Sequence, residues 1–345
     1  MNTYKPNYAT HPGEHLAEIL EAREIKKSDF AKRAGITAKA VSQIINGKAL
    51  YSTELALDFE RVLGVDARLW MNLANNWQLF QAERKEEEKL ANETTRAWLK
   101  RFPVADLRKL GIVSKGRKPQ EIAEAILRFF NVSSPEAFAD WMSARAVAFR
   151  KSAAYTESLE ATSLWLQLAE REAITLETRT YDRERFREIL DEVRALTVED
   201  SQQIIPAMRA ACSSAGVALV IIPKLEGTRL SGASWWFGND RPLIALSLRY
   251  RTNDHFWFTF YHEAAHILLH GKKGIFIDSP EAFDAPDETE ADTFARNLLI
   301  PQSHWNRFIA TGNFYEASIR TFAQAEGIHP AIVVGRLQQD RKSVV

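Results

Sequence analysis

The chain has 345 residues, enough for two domains at about 150 residues each. Hydrophobic residues make up 46% and charged residues 26%, a balance that excludes a collagen-like, low-complexity or wholly disordered protein. Lysine plus arginine equals aspartate plus glutamate at 45 each, which excludes a uniformly basic chain but allows a basic segment offset by acidic ones.

Membrane and secretory features are not expected. The longest apolar run, Val217 to Ile222, is far shorter than the roughly 18 residues of a membrane span. The first residues lack the apolar stretch of a secretory signal, and the single cysteine, Cys212, can form no internal disulfide. We therefore expect a cytoplasmic protein without a membrane partner.

The first part of the chain is predicted to consist of short helices separated by glycine turns. A helix from about Ser28 to Ala34 ends at Gly35, a residue suited to a left-handed C-cap. Thr37 is placed to cap the next helix, which runs to Ile45. A helix, a glycine turn and a second helix at this spacing are typical of a helix-turn-helix domain.

The same segment is locally basic. Residues 26–48 contain six lysines and arginines against the single Asp29, a balance of +5. Such a cluster is a plausible footprint for nucleic-acid phosphates.

About 70 residues resemble HigA-type antitoxins of the Xre/Cro-repressor class, and the most diagnostic part is the stretch SDFAKRAGITAKAVSQIINGK. The resemblance implies a lambda-repressor-like fold whose helix from about Ala38 enters the major groove of double-stranded operator DNA, bound by a homodimer. Gln43 is the preferred base reader, because a glutamine amide can pair bidentately with adenine. Lys27 stands where the family usually has a glutamine and would contact phosphate as a point charge. The candidate DNA-contacting residues are Lys27, Thr37, Lys39, Ser42, Gln43, Asn46 and Lys48. The alternative is a helical protein-binding module that has lost DNA binding.

Residues 83–204 are predicted to be a helical connector with almost no strands. It begins with the charge run Glu83 to Lys89, expected to form a solvated helical face and a possible cleavage site. After about residue 205, three strand candidates precede a very apolar helix, from about Asn253 to His270, and a further helix from Asp287 to Ile300, an order that suggests an α+β domain.

The apolar helix contains His262-Glu263-Ala264-Ala265-His266, an H-e-x-x-H pattern. Residues four apart lie on one helix face, so His262 and His266 can converge on one zinc ion at roughly 2.1 Å per bond. Glu263 points about 100° round the helix, where a carboxylate can accept a proton from water.

A zinc site needs a third protein ligand. His270 lies about 12 Å along the helix from His262, too far for one ion, and is expected to support the site from outside or cap the helix. Glu290 on the next helix is the preferred ligand. The alternative for Glu290 is a capping box in which Asp287 is the N-cap.

The segments HFWFTFYHEAAHILLHG and EADTFARNLLIP resemble the ImmA/IrrE family of zinc metallopeptidases over about residues 205–305. This resemblance implies His262, His266 and Glu290 as zinc ligands and Glu263 as the general base. It also implies a peptide or protein substrate, such as a repressor, held by main-chain pairing at a strand edge beside the site.

The sequence thus predicts a mainly α, multidomain protein. It would comprise an all-α helix-turn-helix domain over residues 1–82, a helical connector over 83–204 and an α+β, zincin-like metallopeptidase domain over 205–345. The predicted function is an antitoxin-type transcriptional regulator that represses its own operon and cleaves a regulator, itself or a partner. Two alternatives stay open: an antitoxin that neutralises a RelE/HigB-like toxin and uses an inactive peptidase domain as a scaffold, or a peptidase that the N-terminal domain merely localises.

Overall fold

The computed structural model describes residues 8–114, 118–148, 159–199, 201–238, 240–247, 253–272, 275–278 and 286–340. Its contacts divide these residues into two units. The first contains the residues up to Thr95 together with 118–121, and the second contains the rest. None of the described helices is long and apolar enough to cross a membrane.

The first unit is built from five complete helices. They are α1 (Pro12–Ala22), α2 (Lys27–Arg33), α3 (Ala38–Ile45), α4 (Thr53–Leu63) and α5 (Ala67–Leu90). Capping defines their ends: Thr37 Oγ1 accepts a hydrogen bond from the Ala40 amide at 3.1 Å, and Gly64 ends α4 in the left-handed conformation. The helices bury one core that includes Leu16, Phe30, Val41, Phe59 and Trp70.

Helices α1 and α3 approach each other closely at Gly13. A Cβ atom at that position would lie 1.9 Å from the carbonyl oxygen of Ile44, so the approach requires glycine. The contact fixes α1 against α3, the helix expected to enter the major groove.

The next helices are α6 (Glu93–Leu99), α7 (Val104–Lys109), α8 (Pro119–Phe130), α9 (Pro135–Ala148), α10 (Leu159–Thr175), α11 (Arg183–Ala195) and α12 (Ser201–Ser214). The predicted connector is therefore helical, but most of it does not form a separate body. Phe186, Ile189, Leu190 and Val193 of α11 belong to the same hydrophobic cluster as the H-e-x-x-H helix. The sequence predicts a domain boundary at residue 204, whereas the contacts place the residues on both sides of it in the second unit.

The second unit contains a four-stranded sheet of β1 (Ala218–Ile222), β2 (Gly232–Phe237), β3 (Arg241–Ser247) and β4 (Phe276–Asp278), in the order β1-β3-β2-β4. Strands β1 and β3 are parallel, and the other two pairs are antiparallel. The three predicted strands are present to within two residues at either end, whereas β4 lies in a segment predicted as a loop. A mainly α protein with a small α+β domain is confirmed.

Helix α13 (Asn253–Ala265) packs against β2 and β3 and continues as a π-helical turn, His266–His270. Helices α14 (Pro286–Leu299), α15 (Gln302–Ala310), α16 (Glu316–Glu326) and α17 (Pro330–Gln339) follow. The packing of α14 and α17 on α13 buries Trp257, Phe260 and Tyr261 in the core of this unit. A rigid apolar support therefore surrounds the polar residues of α13.

Candidate functional site

Helix α13 and the π-helical turn that continues it bring the three polar residues of the H-e-x-x-H pattern into the protein interior. His262 and His266 are buried, and Glu263 is inaccessible to solvent. The Nε2 atoms of the two histidines lie 3.0 Å apart because one helical turn stacks their rings along the same face.

Glu288 of α14 completes this group. Its Oε2 atom lies 3.0 Å from Nε2 of His262 and 3.4 Å from Nε2 of His266. Although burial opposes its ionisation, hydrogen bonds from His262 and His266 hold the pKa of Glu288 at about 2. Burial also lowers the pKa of His266, which favours the neutral imidazole. A carboxylate and neutral imidazoles are the forms that bind a metal ion.

The spacing of these three groups fits one small metal ion. Tetrahedral zinc with bonds of 2.0–2.1 Å holds its ligand atoms about 3.4 Å from one another. One ligand atom from each of His262, His266 and Glu288 lies within 4.8 Å of the others, and the closest pairs are at 3.0–3.4 Å. Two nitrogens and one carboxylate oxygen are also the donor set of many catalytic zinc sites.

The structure does not bring Glu290, the ligand favoured by the sequence, to the histidine pair. Its Oε2 atom lies 3.3 Å from Nε2 of His270, and its side chain is 61% exposed. Residues two apart on an α-helix point about 200° away from each other, so Glu288 and Glu290 cannot face the same ion. Asp287, the N-cap of the alternative interpretation, lies inside α14 as its second residue.

Each histidine is oriented through its second ring nitrogen. Nδ1 of His262 lies 2.9 Å from Oδ1 of Asp292, one turn after Glu288 on α14. Nδ1 of His266 lies 2.8 Å from Nδ1 of His270, which the π-helical turn places beside it. Such contacts fix the ring orientation and the tautomer of metal-binding histidines.

Strand β2 holds Glu263. The hydroxyl of Ser234, which is fully buried, donates a hydrogen bond to Oε2 of Glu263 at 2.5 Å. Gly232 permits this close approach, because a Cβ atom there would lie 2.6 Å from Cγ2 of Thr259 and 2.9 Å from Oε1 of Glu263. The sheet thus comes close enough to α13 to fix the carboxylate.

Strand β4 holds His266. Phe276 pairs with Ser234 in the register of β2 and β4, and its ring stacks on that of His266 with centroids 4.1 Å apart. One pair of neighbouring residues in the sheet therefore contacts both the glutamate and the second histidine of the motif.

Sequence reasoning missed Glu288, Asp292, Ser234 and Phe276. The available signal was the four-residue spacing of Glu288 and Asp292, which matches the spacing of His262 and His266 and places both acids on one helix face. No comparable spacing signal marks Ser234 or Phe276.

The predicted DNA-contacting residues lie on α3 and its flanks. Val41 and Ile44 are buried, so the opposite face of α3 exposes Lys39 and Gln43. The Thr37 side chain caps α3, and Nδ2 of Asn46 donates to Oγ of Ser42 at 3.1 Å. Lys27 is the first residue of α2, and Lys48 follows α3 closely; both are exposed. Ser42 is half-buried, and the other six candidates are exposed.

Two protein families match the chain. The helix-turn-helix family matches residues 16–70, and the IrrE N-terminal-like domain of the M78 peptidases matches residues 212–337. A curated relative, the uncharacterized HTH-type transcriptional regulator YddM of Escherichia coli (strain K12), is 32% identical over 73 residues, which are 21% of this chain and 78% of that protein.

Solved structures similar to about a quarter of the chain include an addiction module antidote protein of the HigA family from Coxiella burnetii. It is 29% identical and covers 24% of this chain and 92% of its own, with a TM-score of 0.23. Another is the Pseudomonas aeruginosa antitoxin HigA with the higBA promoter, which is 26% identical and covers 24% and 91%, with a TM-score of 0.23.

Fold and site together define a two-part regulator that joins a DNA-binding domain to a peptidase-type domain. The chain belongs to the helix-turn-helix family of transcriptional regulators and carries an IrrE N-terminal-like domain of the M78 peptidases. Both resemblances noted in the sequence are confirmed.

Proposed function

We propose that this regulator carries a zinc-dependent endopeptidase and uses it to cleave a regulatory protein, while its helix-turn-helix domain represses its own operon. The observation that carries the peptidase part is the convergence of His262, His266 and Glu288 beside the buried Glu263. This arrangement supplies three metal ligands and an adjacent base within two helices.

In this proposal Glu288 replaces Glu290 as the third zinc ligand. A zinc ion held by His262, His266 and Glu288 would polarise a substrate carbonyl and lower the pKa of a bound water. Asp292 and His270 keep the two imidazoles oriented toward the ligand position. Glu263 accepts a proton from the attacking water and delivers it to the leaving amine.

The substrate would bind as an extended peptide along the sheet. Among the described residues, β4 pairs on one side only, with β2, and is the strand next to His266. An edge strand at this position offers main-chain groups to a peptide. This supports a protein substrate rather than a small molecule.

The DNA-binding part of the proposal rests on the exposed basic face of the first unit. Lys39 and Gln43 on α3 would enter the major groove, with Gln43 reading a base. One domain of this size gives few base contacts, so we expect a homodimer on a palindromic operator with half-sites about one helical turn apart.

Four proteins test the peptidase part: the wild type, Glu263→Gln, Glu288→Gln and the matched control Glu290→Gln. We expect one zinc per chain in the wild type, Glu263→Gln and Glu290→Gln, and a large loss of zinc in Glu288→Gln. Expression in a host lacking the native copy, followed by mass spectrometry of new protein N-termini, should reveal fragments made by the wild type and Glu290→Gln only.

Two outcomes would count against this proposal. Loss of zinc from Glu290→Gln with retention by Glu288→Gln would restore the ligand set expected from the sequence. Identical fragments from the wild type and Glu263→Gln would refute the peptidase activity and favour a scaffold that neutralises a RelE/HigB-like toxin. Co-purification from the native host would then identify that partner.

A further inference from the structure

A cavity of about 270 Å³ lies in the second unit, and none of the proposed metal ligands lines it. It is formed by the beginning of α13, the end of α14 and α17. Phe258, Leu299 and Ile332 provide apolar lining, and Arg296 and Arg336 also line it. We call it the Arg296–Arg336 cavity.

Arg336 is a buried cation whose hydrogen-bond partners are all neutral. It is 8% exposed, and its guanidinium donates to the carbonyl oxygens of Arg296 and Ile300 at 3.1 and 2.6 Å and to Oε1 of Gln302 at 2.8 Å. Its guanidinium carbon lies 4.7 Å from the centroid of the Trp305 ring, and in the described part of the chain no carboxylate forms an ion pair with it within 4.0 Å. Burial lowers the pKa of Arg336 to about 10, an effect that Asp340 opposes and Arg296 increases.

The charges that line the cavity do not balance, because two arginines face a single acidic residue. The acidic residue in the lining, Asp254, packs against the backbone of α17, where a Cβ atom at Gly335 would lie 2.5 Å from its Oδ2 atom. Because buried charges are normally paired, a lining with two guanidinium groups and one carboxylate favours an anion in the cavity.

We propose that the Arg296–Arg336 cavity binds a small organic anion, with a carboxylate or phosphate group on the arginines and a short apolar body on Phe258, Leu299 and Ile332. Guanidinium groups bind such anions through charge-assisted hydrogen bonds. The volume is just below the roughly 300 Å³ at which typical ligand pockets begin, which fits a small metabolite rather than a peptide.

Two lining residues, Arg296 and Phe258, connect the cavity to the proposed metal ligands, and the ring of Phe258 lies 6.2 Å from that of His262 between centroids. Nη2 of Arg296 lies 3.4 Å from Oδ2 of Asp292, whose Oδ1 lies 2.9 Å from Nδ1 of His262. An anion that binds Arg296 competes with Asp292 for this guanidinium and changes how His262 is held. This second step rests on the proposed function. It would couple anion binding to zinc binding, and thermodynamic linkage requires that the anion change the zinc affinity by the same factor by which zinc changes the anion affinity.

The site is tested by calorimetric titration of the full-length, metal-free protein with inorganic phosphate and, separately, succinate, at ionic strength matched with sodium chloride. Metal-free protein is used so that the probes cannot bind a metal ion. We expect saturable binding of at least one probe and a tenfold or greater loss of affinity in Arg296→Gln. Arg187→Gln, which changes an exposed arginine of α11, should bind as the wild type does.

Arg336→Gln would also remove hydrogen bonds that hold α14 and α15, so a second variant is Gln338→Glu. Gln338 lines the cavity with an exposed side chain, and the added negative charge should weaken anion binding. Absence of saturable binding up to about 10 mM, a concentration that would reveal a Kd of about 1 mM, overturns the site. Equal affinity in the wild type and Arg296→Gln overturns it as well.

Coupling is tested by measuring zinc affinity against a competing chelator with and without saturating probe. We expect a several-fold change in the wild type and none in Arg296→Gln. Unchanged zinc affinity in the wild type overturns the coupling. Failure of the wild type to bind zinc overturns the proposed function instead, and the titration of the metal-free protein still decides whether the anion site exists.

Discussion

Replacing Ser234 with alanine is the most direct test of how the sheet supports Glu263. The substitution removes a buried hydroxyl that donates to a buried carboxylate at 2.5 Å. Hydrogen bonds to charged groups contribute about 1.5–3 kcal/mol to stability. We therefore expect Ser234→Ala to lower the free energy of unfolding of the metal-free protein by about 2 kcal/mol.

The neighbouring strand offers a matched control. Ser247 on β3 is 9% exposed, and within the described part of the chain its hydroxyl makes no hydrogen bond. Ser247→Ala removes the same atom from the same sheet without breaking an interaction, so it should leave stability unchanged or raise it slightly.

Thermal unfolding of both metal-free variants provides the measurement. For a unit of this size, a loss of about 2 kcal/mol lowers Tm by about 4–8 °C. In the Glu263→Gln background the loss from Ser234→Ala should be smaller, because hydrogen bonds between neutral groups contribute about 1 kcal/mol. Equal shifts for Ser234→Ala and Ser247→Ala would refute the assigned interaction.

The same substitution predicts a kinetic effect once a substrate is known. A displaced general base costs up to about 100-fold in rate, so Ser234→Ala should lower kcat with little change in KM. Zinc content should stay at the wild-type value, because Ser234 contacts none of the proposed ligands. Partial recovery by Ser234→Thr would support a positioning role of the hydroxyl.

Three further predictions concern other parts of the molecule. Gly13→Ala should destabilise the first unit by about 2 kcal/mol or more and weaken operator binding, because the alanine Cβ would clash with the backbone of α3. Thermal unfolding and DNA titration measure the two effects. Gln43→Ala should cost about 1–3 kcal/mol on the native operator and little on unrelated DNA, whereas Lys39→Ala should weaken binding to both and reduce the salt slope by about 1. Acid titration of the metal-free protein should show stability falling as the pH decreases from about 4.5 to 2. The pKa of Glu288 is lower in the folded than in the unfolded protein, so its contribution to stability is present above the unfolded-state pKa and disappears as the folded protein takes up the proton. Glu288→Gln should lose this pH dependence.

Much of the fold was accessible from local sequence signals. The caps and glycine turns of the first 65 residues locate its helices, and the H-e-x-x-H spacing alone places His262 and His266 on one face of α13. These features depend on neighbours within a few residues, which is why a single sequence contains them.

The rest depends on how distant elements dock. Glu288 and Glu290 are both plausible ligands until the rotation of α14 about its axis is known, and that rotation is set by packing of Ala291, Ala295 and Leu299 in the core. Strand β4 has three residues, too few for an alternating pattern to be recognised. The apolar stripe of α11 predicts a buried face, but it does not reveal that the face packs in the core of the peptidase unit.

Helix α5 has a consequence for any self-cleavage by this regulator. The sequence offers the charge run from Glu83 to Lys89 as a candidate cleavage site. This run forms the final turns of the 24-residue helix Ala67–Leu90. A peptidase that binds extended chains cannot accept a helix, so cleavage there must wait until these turns unwind. The fraction of time that the helix end is frayed would then set the rate, and temperature or a bound protein could control turnover without altering the peptidase itself.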